Sequence, residues 1–253
     1  MKIRETVASP VIRRGLQFAA ILLVSAFSAK AEFVVSAFTA KTIDEDNDVK
    51  VKQTGGTDLT FHDAQFQGKD FESPQYYGLR AMYFLHEDKP GFGFGVEFFH
   101  DKEYMKTGGN LHVTGTRGGI PVNDNEPVNN TIQNFNNSHG MNFLLGDVFY
   151  RWVFGANHGA FVQRLRPYIG AGAGIVIPHV ESEVYGVSKQ QYEFGGPGVQ
   201  AVVGLDVKLT KHFSIFSEYK FTYADLDESI PNGSIQFQPM THHFAFGVSF
   251  HFW

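Results

Sequence analysis

The sequence predicts an all-β fold: a transmembrane antiparallel β-barrel of about eight strands, of the outer-membrane type. Three observations predict it. Segments of two-residue alternation recur along the chain, with large apolar residues on one face and small or polar ones on the other. The 253 residues include 26 Phe and 27 Gly, bulk for a lipid-facing wall and smallness for a narrow interior. No stretch after residue 31 reads as a continuous apolar helix, so a membrane role requires strands.

The N-terminus carries Lys2, Arg4, Arg13 and Arg14, then the apolar run Leu16 to Phe27, then Ala29-Lys30-Ala31. That is the pattern of a cleavable secretory signal. The run is about a dozen residues, short of the roughly 20 that a membrane-crossing helix needs. The expected organisation is therefore a signal peptide over 1–31 and one barrel domain over 32–253. Residues 1–31 take five basic residues and one acidic residue with them, so the whole-chain charge of −5 becomes −9. Such a chain has no global attraction for nucleic acid, and no basic run compensates. An anionic lipid would have to be met by a local basic patch. The absence of cysteine excludes a disulfide framework and thiolate chemistry.

The first strand is expected from Phe33 to Lys41. Tyr76 to His86 and Phe92 to Phe99 follow, joined by Glu87-Asp88-Lys89-Pro90-Gly91, and then Asn142 to Trp152. Leu165 to Ile177 sets Ile169, Ala171, Ala173, Ile175 and Ile177 against Gly170, Gly172 and Gly174. Val199 to Leu209 and Phe213 to Ala224 are joined by the tight turn Thr210-Lys211-His212. The last strand, Thr241 to Trp253, is the clearest: His242, Phe244, Phe246, Val248, Phe250 and Phe252 share one face, opposite Ala245, Gly247 and Ser249. A terminal aromatic strand resembles the signal read by the barrel assembly machinery of the outer membrane, an expected partner for insertion.

Short connections at 87–91, 155–163 and 210–212 alternate with long ones at about 42–75, 105–138, 179–191 and 226–239. That is how such barrels arrange periplasmic turns and external loops. An even strand number puts both termini in the periplasm. Phe61 to Phe71 is strand-like but would break that parity, so it is placed in the first external loop. The loop 105–138, rich in Gly, Asn and Thr, reads as mobile. A soluble ligand-holding barrel would need large apolar residues inside; Gly170, Gly172, Gly174, Gly204, Gly247 and Ser249 argue against it.

Around the turn between Asp88 and Lys89, positions summing to 177 face each other, which sets Arg80 opposite Glu97 inside the barrel. Glu218, Lys220, Asp147, Arg151, Asp206 and Lys208 also point inward. A barrel of this size is filled by side chains, and buried charges persist when paired, so a structural network outweighs a catalytic one. Among the histidines, none has a convincing metal spacing. His100, His139 and His179 stand out because each lies where a strand meets an external loop. His179 and Glu181 share a strand face if the strand continues past Pro178.

Several segments taken together resemble one family. Tyr76-Tyr77-Gly78-Leu79-Arg80-Ala81, Tyr150-Arg151-Trp152, Arg166-Pro167-Tyr168-Ile169-Gly170-Ala171-Gly172-Ala173-Gly174, Pro178-His179-Val180-Glu181 and Phe216-Ser217-Glu218-Tyr219-Lys220 resemble the outer-membrane lipid A oxidases. The resemblance runs from Glu32-Phe33-Val34-Val35-Ser36 to the last strand. It implies oxidation of the proximal glucosamine of lipid A to 2-aminogluconate, with molecular oxygen as co-substrate and hydrogen peroxide as second product. The lipopolysaccharide of the outer leaflet is then the partner, and the chemistry belongs at the external end. The implied catalytic residues are His100, His179 and Glu181, with Glu218 and Lys220 lower in the lumen; the implied substrate contacts are Arg80, Tyr76 and His139. A His or Glu would take a proton at the anomeric carbon while a cation orients phosphate or oxyanion. Reaction of oxygen with a sugar normally calls for a metal or flavin. A divalent metal held by His100, His179 and Glu181 from adjacent strands would serve, although strict alternation turns both histidines outward. The other reading is a non-enzymatic surface antigen or adhesin-like barrel that binds partners through its external loops, since fold does not settle function.

Overall fold

The computed structural model describes residues 31–252; the expected signal segment, apart from Ala31, and Trp253 lie outside the described residues. In chain order, β1 (Glu32–Asp44) leads into the hairpin β2 (Asn47–Gln53) and β3 (Thr57–Ala64), then the short β4 (Phe66–Gln67). β5 (Tyr77–Phe84) and β6 (Gly91–Met105) precede the hairpin β7 (Asn110–Arg117) and β8 (Ile120–Pro127). β9 (Ile132–Arg151), β10 (Leu165–Val184) and β11 (Val187–Tyr192) follow, then β12 (Gly196–Lys208) and β13 (Phe213–Ala224). The hairpin β14 (Leu226–Ile230) and β15 (Gly233–Phe237) precedes β16 (Met240–Phe252).

Eight of these strands close an antiparallel barrel in the order β1, β5, β6, β9, β10, β12, β13, β16 and back to β1. Closure leaves no barrel strand with an open edge. The alternation seen in the sequence is realised: Phe244, Phe246, Val248, Phe250 and Phe252 are exposed outward, and Ala245, Ser249 and His251 are buried inside. Arg80 pairs in register with Glu97, as the turn geometry requires. Inward glycines make room for aromatic neighbours. A Cβ at Gly204 would fall 2.4 Å from a Tyr168 ring atom, and one at Gly170 would fall 2.6 Å from the Phe149 ring.

The long connections depart from expectation. The segment 105–138 is not a loose loop, because most of it is the β7–β8 hairpin and the first residues of β9. Three such hairpins join edge to edge in a second, six-stranded sheet, ordered β14, β15, β2, β3, β7, β8. The strand-like stretch near Phe61 belongs to this sheet as β3. Above the barrel, β9 and β10 continue past it and face the sheet across a dry core that includes Val49, Val51, Leu59, Phe61, Phe135, Val180, Ile235 and Phe237. Polar hairpin tips hide an apolar inner face, and this core holds them in place. The short turns, the start of β1 and the end of β16 occupy one end of the barrel; the hairpin sheet occupies the other.

Candidate functional site on the outer wall

The site is made by an irregularity in β9. Against β6, the register jumps from Asp101↔Met141 to Glu103↔Asn137; against β10, it jumps from Pro178↔Met141 to Glu181↔Asn136. β9 thus carries extra residues between Asn137 and Met141, a bulge of the kind that re-aims side chains. Gly140 takes φ 95° inside it, and a Cβ there would strike the His100 ring. From Met141 to Arg151 the odd-numbered residues of β9 point inward, but the bulge puts His139 on the outer wall, half exposed.

There His139 meets two outward residues of β10. The rings of His139 and His179 lie 4.7 Å apart, edge to face. Glu181 Oε1 is 3.4 Å from His139 Nδ1 and 3.6 Å from His179 Nδ1. The Ser138 hydroxyl donates to the same carboxylate oxygen, and Ser138 Oγ lies 2.9 Å from His139 Nδ1. Tyr192 of β11 covers His179 at 4.4 Å between rings, and the Gln190 amide lies 3.2 Å from His179 Nε2. His179 faces outward yet is buried, because β11 and His139 cover it. Sharing of one face by His179 and Glu181 was legible from their spacing; Ser138, Gln190 and Tyr192 had no signal of their own.

His100 does not join this cluster. It lies in the outward row Tyr77, His100, Asn142, Ile177 that runs across β5, β6, β9 and β10. Its Nδ1 is 3.0 Å from Asn142 Oδ1, its ring stacks on Tyr77 at 5.1 Å, and its Nε2 is buried without a partner. The structure therefore does not bring His100 to His179 and Glu181; the donor atoms that converge are those of His139, His179 and Glu181.

The lumen residues are elsewhere. Arg80 donates to Glu97 and, at 2.9 and 2.6 Å, to both oxygens of Glu218. Lys220 donates to Glu97, and the Tyr168 hydroxyl donates to Glu218 at 2.6 Å. Arg80, Glu97, Glu218 and Lys220 are all buried and saturate one another. Tyr76, expected at the substrate, is 2 % exposed inside the barrel and stacks on Phe99. Arg80, Tyr76, Glu218 and Lys220 are thus separated from the histidine cluster by the barrel wall, because even positions of β5 and β13 point inward. The lumen cavity below them, lined by Arg80, Tyr168 and Asp206 among others, has a volume of about 40 Å³, room for a few waters and not for a sugar.

Residues 19–252 match the family described as outer membrane protein beta-barrel domain. The chain belongs to the outer membrane protein β-barrel domain family. Outer-membrane location follows, and the outward apolar belt is its lipid contact. No curated protein sequence matches the chain. Among solved structures, the chain is similar to OprG from Pseudomonas aeruginosa, at 13 % identity and TM-score 0.45 over 88 % of this chain and 96 % of that one. Neisserial surface protein A is similar at 12 % identity and TM-score 0.41, over 87 % and 97 %. The outer membrane protease OmpT from Escherichia coli is similar at 8 % identity and TM-score 0.42, over 89 % and 98 %. At these values the likeness assigns no function.

In a member of this family, the height of the site relative to the bilayer matters. A transmembrane strand crosses the hydrocarbon in about 9–11 residues. On β10 the outward apolar run ends at Ile177, and His179 is the next outward residue. The histidine cluster therefore stands at the rim of the belt, at headgroup level. There, burial and the neighbouring His139 push the His179 imidazole below its ordinary pKa.

Proposed function

We propose that the protein is an oxygen-dependent lipid A oxidase that works at its outer wall. The observation that carries this reading is the convergence of His139, His179 and Glu181 at the rim of the lipid-facing belt, open sideways to a lipid headgroup. A substrate embedded in the outer leaflet reaches such a site by lateral diffusion, without entering the filled lumen. In this reading the short turns and both termini face the periplasm, the hairpin sheet faces outward, and the barrel assembly machinery inserts the chain.

The chemistry balances with oxygen alone as oxidant. The anomeric carbon of the proximal glucosamine, with a free hydroxyl, loses the C1 hydrogen and the hydroxyl proton with two electrons. Oxygen receives them as hydrogen peroxide, and water opens the resulting lactone to 2-aminogluconate. The His179 imidazole or the Glu181 carboxylate is placed to take a proton. Lys69, whose ammonium lies 4.4 Å over the Tyr104 ring and 3.5 Å from Glu72, is a cation on this side of the barrel, since Tyr104 of β6 pairs with Asn136 of β9. Arg80, Glu218, Lys220 and Tyr76 are assigned to the scaffold.

A second reading, a surface barrel that binds partners through its external loops, is favoured by the ordered six-stranded sheet, which offers a stable face. Mass spectrometry of lipid A from cells with and without the protein, grown with and without oxygen, decides between them. Gain of one oxygen atom only in aerobic cells making the protein supports the oxidase. Unchanged lipid A beside well-folded barrel overturns it in favour of the binding surface.

A further inference from the structure

We infer that His139, His179 and Glu181 form a binding site for one first-row transition-metal dication on the outer wall of the barrel. Each residue offers one donor atom, and the three atoms lie within 4.8 Å of one another. The two nitrogen-to-oxygen distances, 3.4 and 3.6 Å, are close to the roughly 3.4 Å edge of a tetrahedron with metal–ligand bonds of about 2.1 Å. The three donors lie within 4.8 Å of one another, so the imidazoles would draw together on loading.

A second observation points to a ligand. His179 Nδ1 is buried, aims at Glu181 and His139, and has no hydrogen-bond partner. An orphaned buried nitrogen is costly, and a cation would satisfy it. The surroundings supply the supports a metal ligand needs. The Gln190 amide nitrogen lies 3.2 Å from His179 Nε2 and holds the ring in place. The Ser138 hydroxyl anchors the Glu181 carboxylate, and Tyr192 packs on the His179 ring. Loading would displace the contact of Ser138 with His139.

The donor chemistry selects the ion. Two imidazoles and one carboxylate suit zinc, iron(II), cobalt(II) and their neighbours, whereas magnesium and calcium take all-oxygen sites. Three protein ligands leave positions open for water or another molecule. Elsewhere among the described residues the candidate donors are fewer or farther apart: neither His62 with Asp48 and His112 nor the buried carboxylates Asp44, Asp101 and Glu103 bring three donors to one point. The inference rests on this geometry and stands apart from the lipid A reading.

The test uses the untagged full chain, folded in detergent micelles, stripped with a chelator and titrated with cobalt(II). Binding is read by visible absorption and by metal content after dialysis. One cobalt per chain is expected in the wild type, with affinity at least ten-fold weaker in H179A and in the conservative E181Q. H62A should bind as the wild type does. Heat-modifiable migration on gels confirms that each variant is folded. No retained metal, equal binding in H179A and E181Q, or an equal loss in H62A would overturn the site. No retained cobalt with lipid A still oxidised overturns the site and spares the oxidase; cobalt bound with lipid A unchanged keeps the site and overturns the oxidase.

Discussion

Arg80 on β5 grips both carboxylate oxygens of Glu218 on β13, at 2.9 and 2.6 Å, from across the lumen. With Glu97 and Lys220 this makes two anions and two cations in a closed set, each desolvated by the barrel wall. Removing one member leaves an uncompensated buried charge. R80M should therefore destabilise the barrel by about 3–5 kcal/mol, and the paired change R80M/E218M, which keeps Glu97 with Lys220, should cost less than R80M alone. Urea unfolding in lipid vesicles measures both. A double variant as damaged as the single one would contradict the pairing.

Packing around the same network gives a second prediction. Gly204 lies under the Tyr168 ring, whose hydroxyl donates to Glu218. G204A should cost about 1–3 kcal/mol by overpacking. At Gly146, a Cβ meets only one atom, a carbonyl oxygen at 3.9 Å, so G146A should be close to neutral. Thermal midpoints of the two variants, side by side, check the contrast.

These interior features were legible in the sequence because the β5–β6 turn is short. A short turn fixes register, and register fixes which residue faces which, so Arg80 opposite Glu97 follows from counting. The alternation of the last strand was legible for the same local reason. His139 was not. Its outward position depends on extra residues in β9 that Gly140 accommodates, and a bulge leaves no mark in a two-residue pattern. The hairpin sheet was hidden too: the pairing of β15 with β2 joins residues near 235 to residues near 51, and nothing local encodes it. Polar composition at 105–138 suggested mobility because Val113 and Val128, which anchor it in the core, are few.

The sheet brings a pH dependence. Glu228 on β14 is buried, and burial, reinforced by Glu193, pushes its pKa up from 4.5 to about 8. Glu103 is raised in the same way, by burial and then by Asp44, Asp101 and Glu228. A carboxyl held above its unfolded value binds its proton more tightly when folded. Its contribution is intact below about pH 4.5 and is lost as pH rises from there to about 8, with a slope of at most about 1.4 kcal/mol per pH unit per group. Hydrogen-exchange protection of β14 and β15, corrected for intrinsic rates, should fall between pH 5 and pH 8. In E228Q the fall should shrink, leaving the part due to Glu103. The same decline in E228Q as in the wild type would refute the assignment.

The reaction itself separates wall from lumen. H179A and E181A should lower lipid A oxidation by about a hundred-fold or more, the scale of a lost proton-transfer group, while folding and heat-modifiable migration persist. H100A should have a smaller effect, since His100 contacts Asn142 and Tyr77 and not the cluster. Deletion of the β7–β8 tip, 118–119, should leave oxidation unchanged, because those glycines touch only the sheet around Gly56. If oxidation survives H179A and E181A but fails on trimming the tip, the active face is the hairpin sheet and the outer-wall assignment is wrong. If only R80M abolishes product in a folded barrel, the chemistry belongs to the lumen, and the wall cluster serves another purpose.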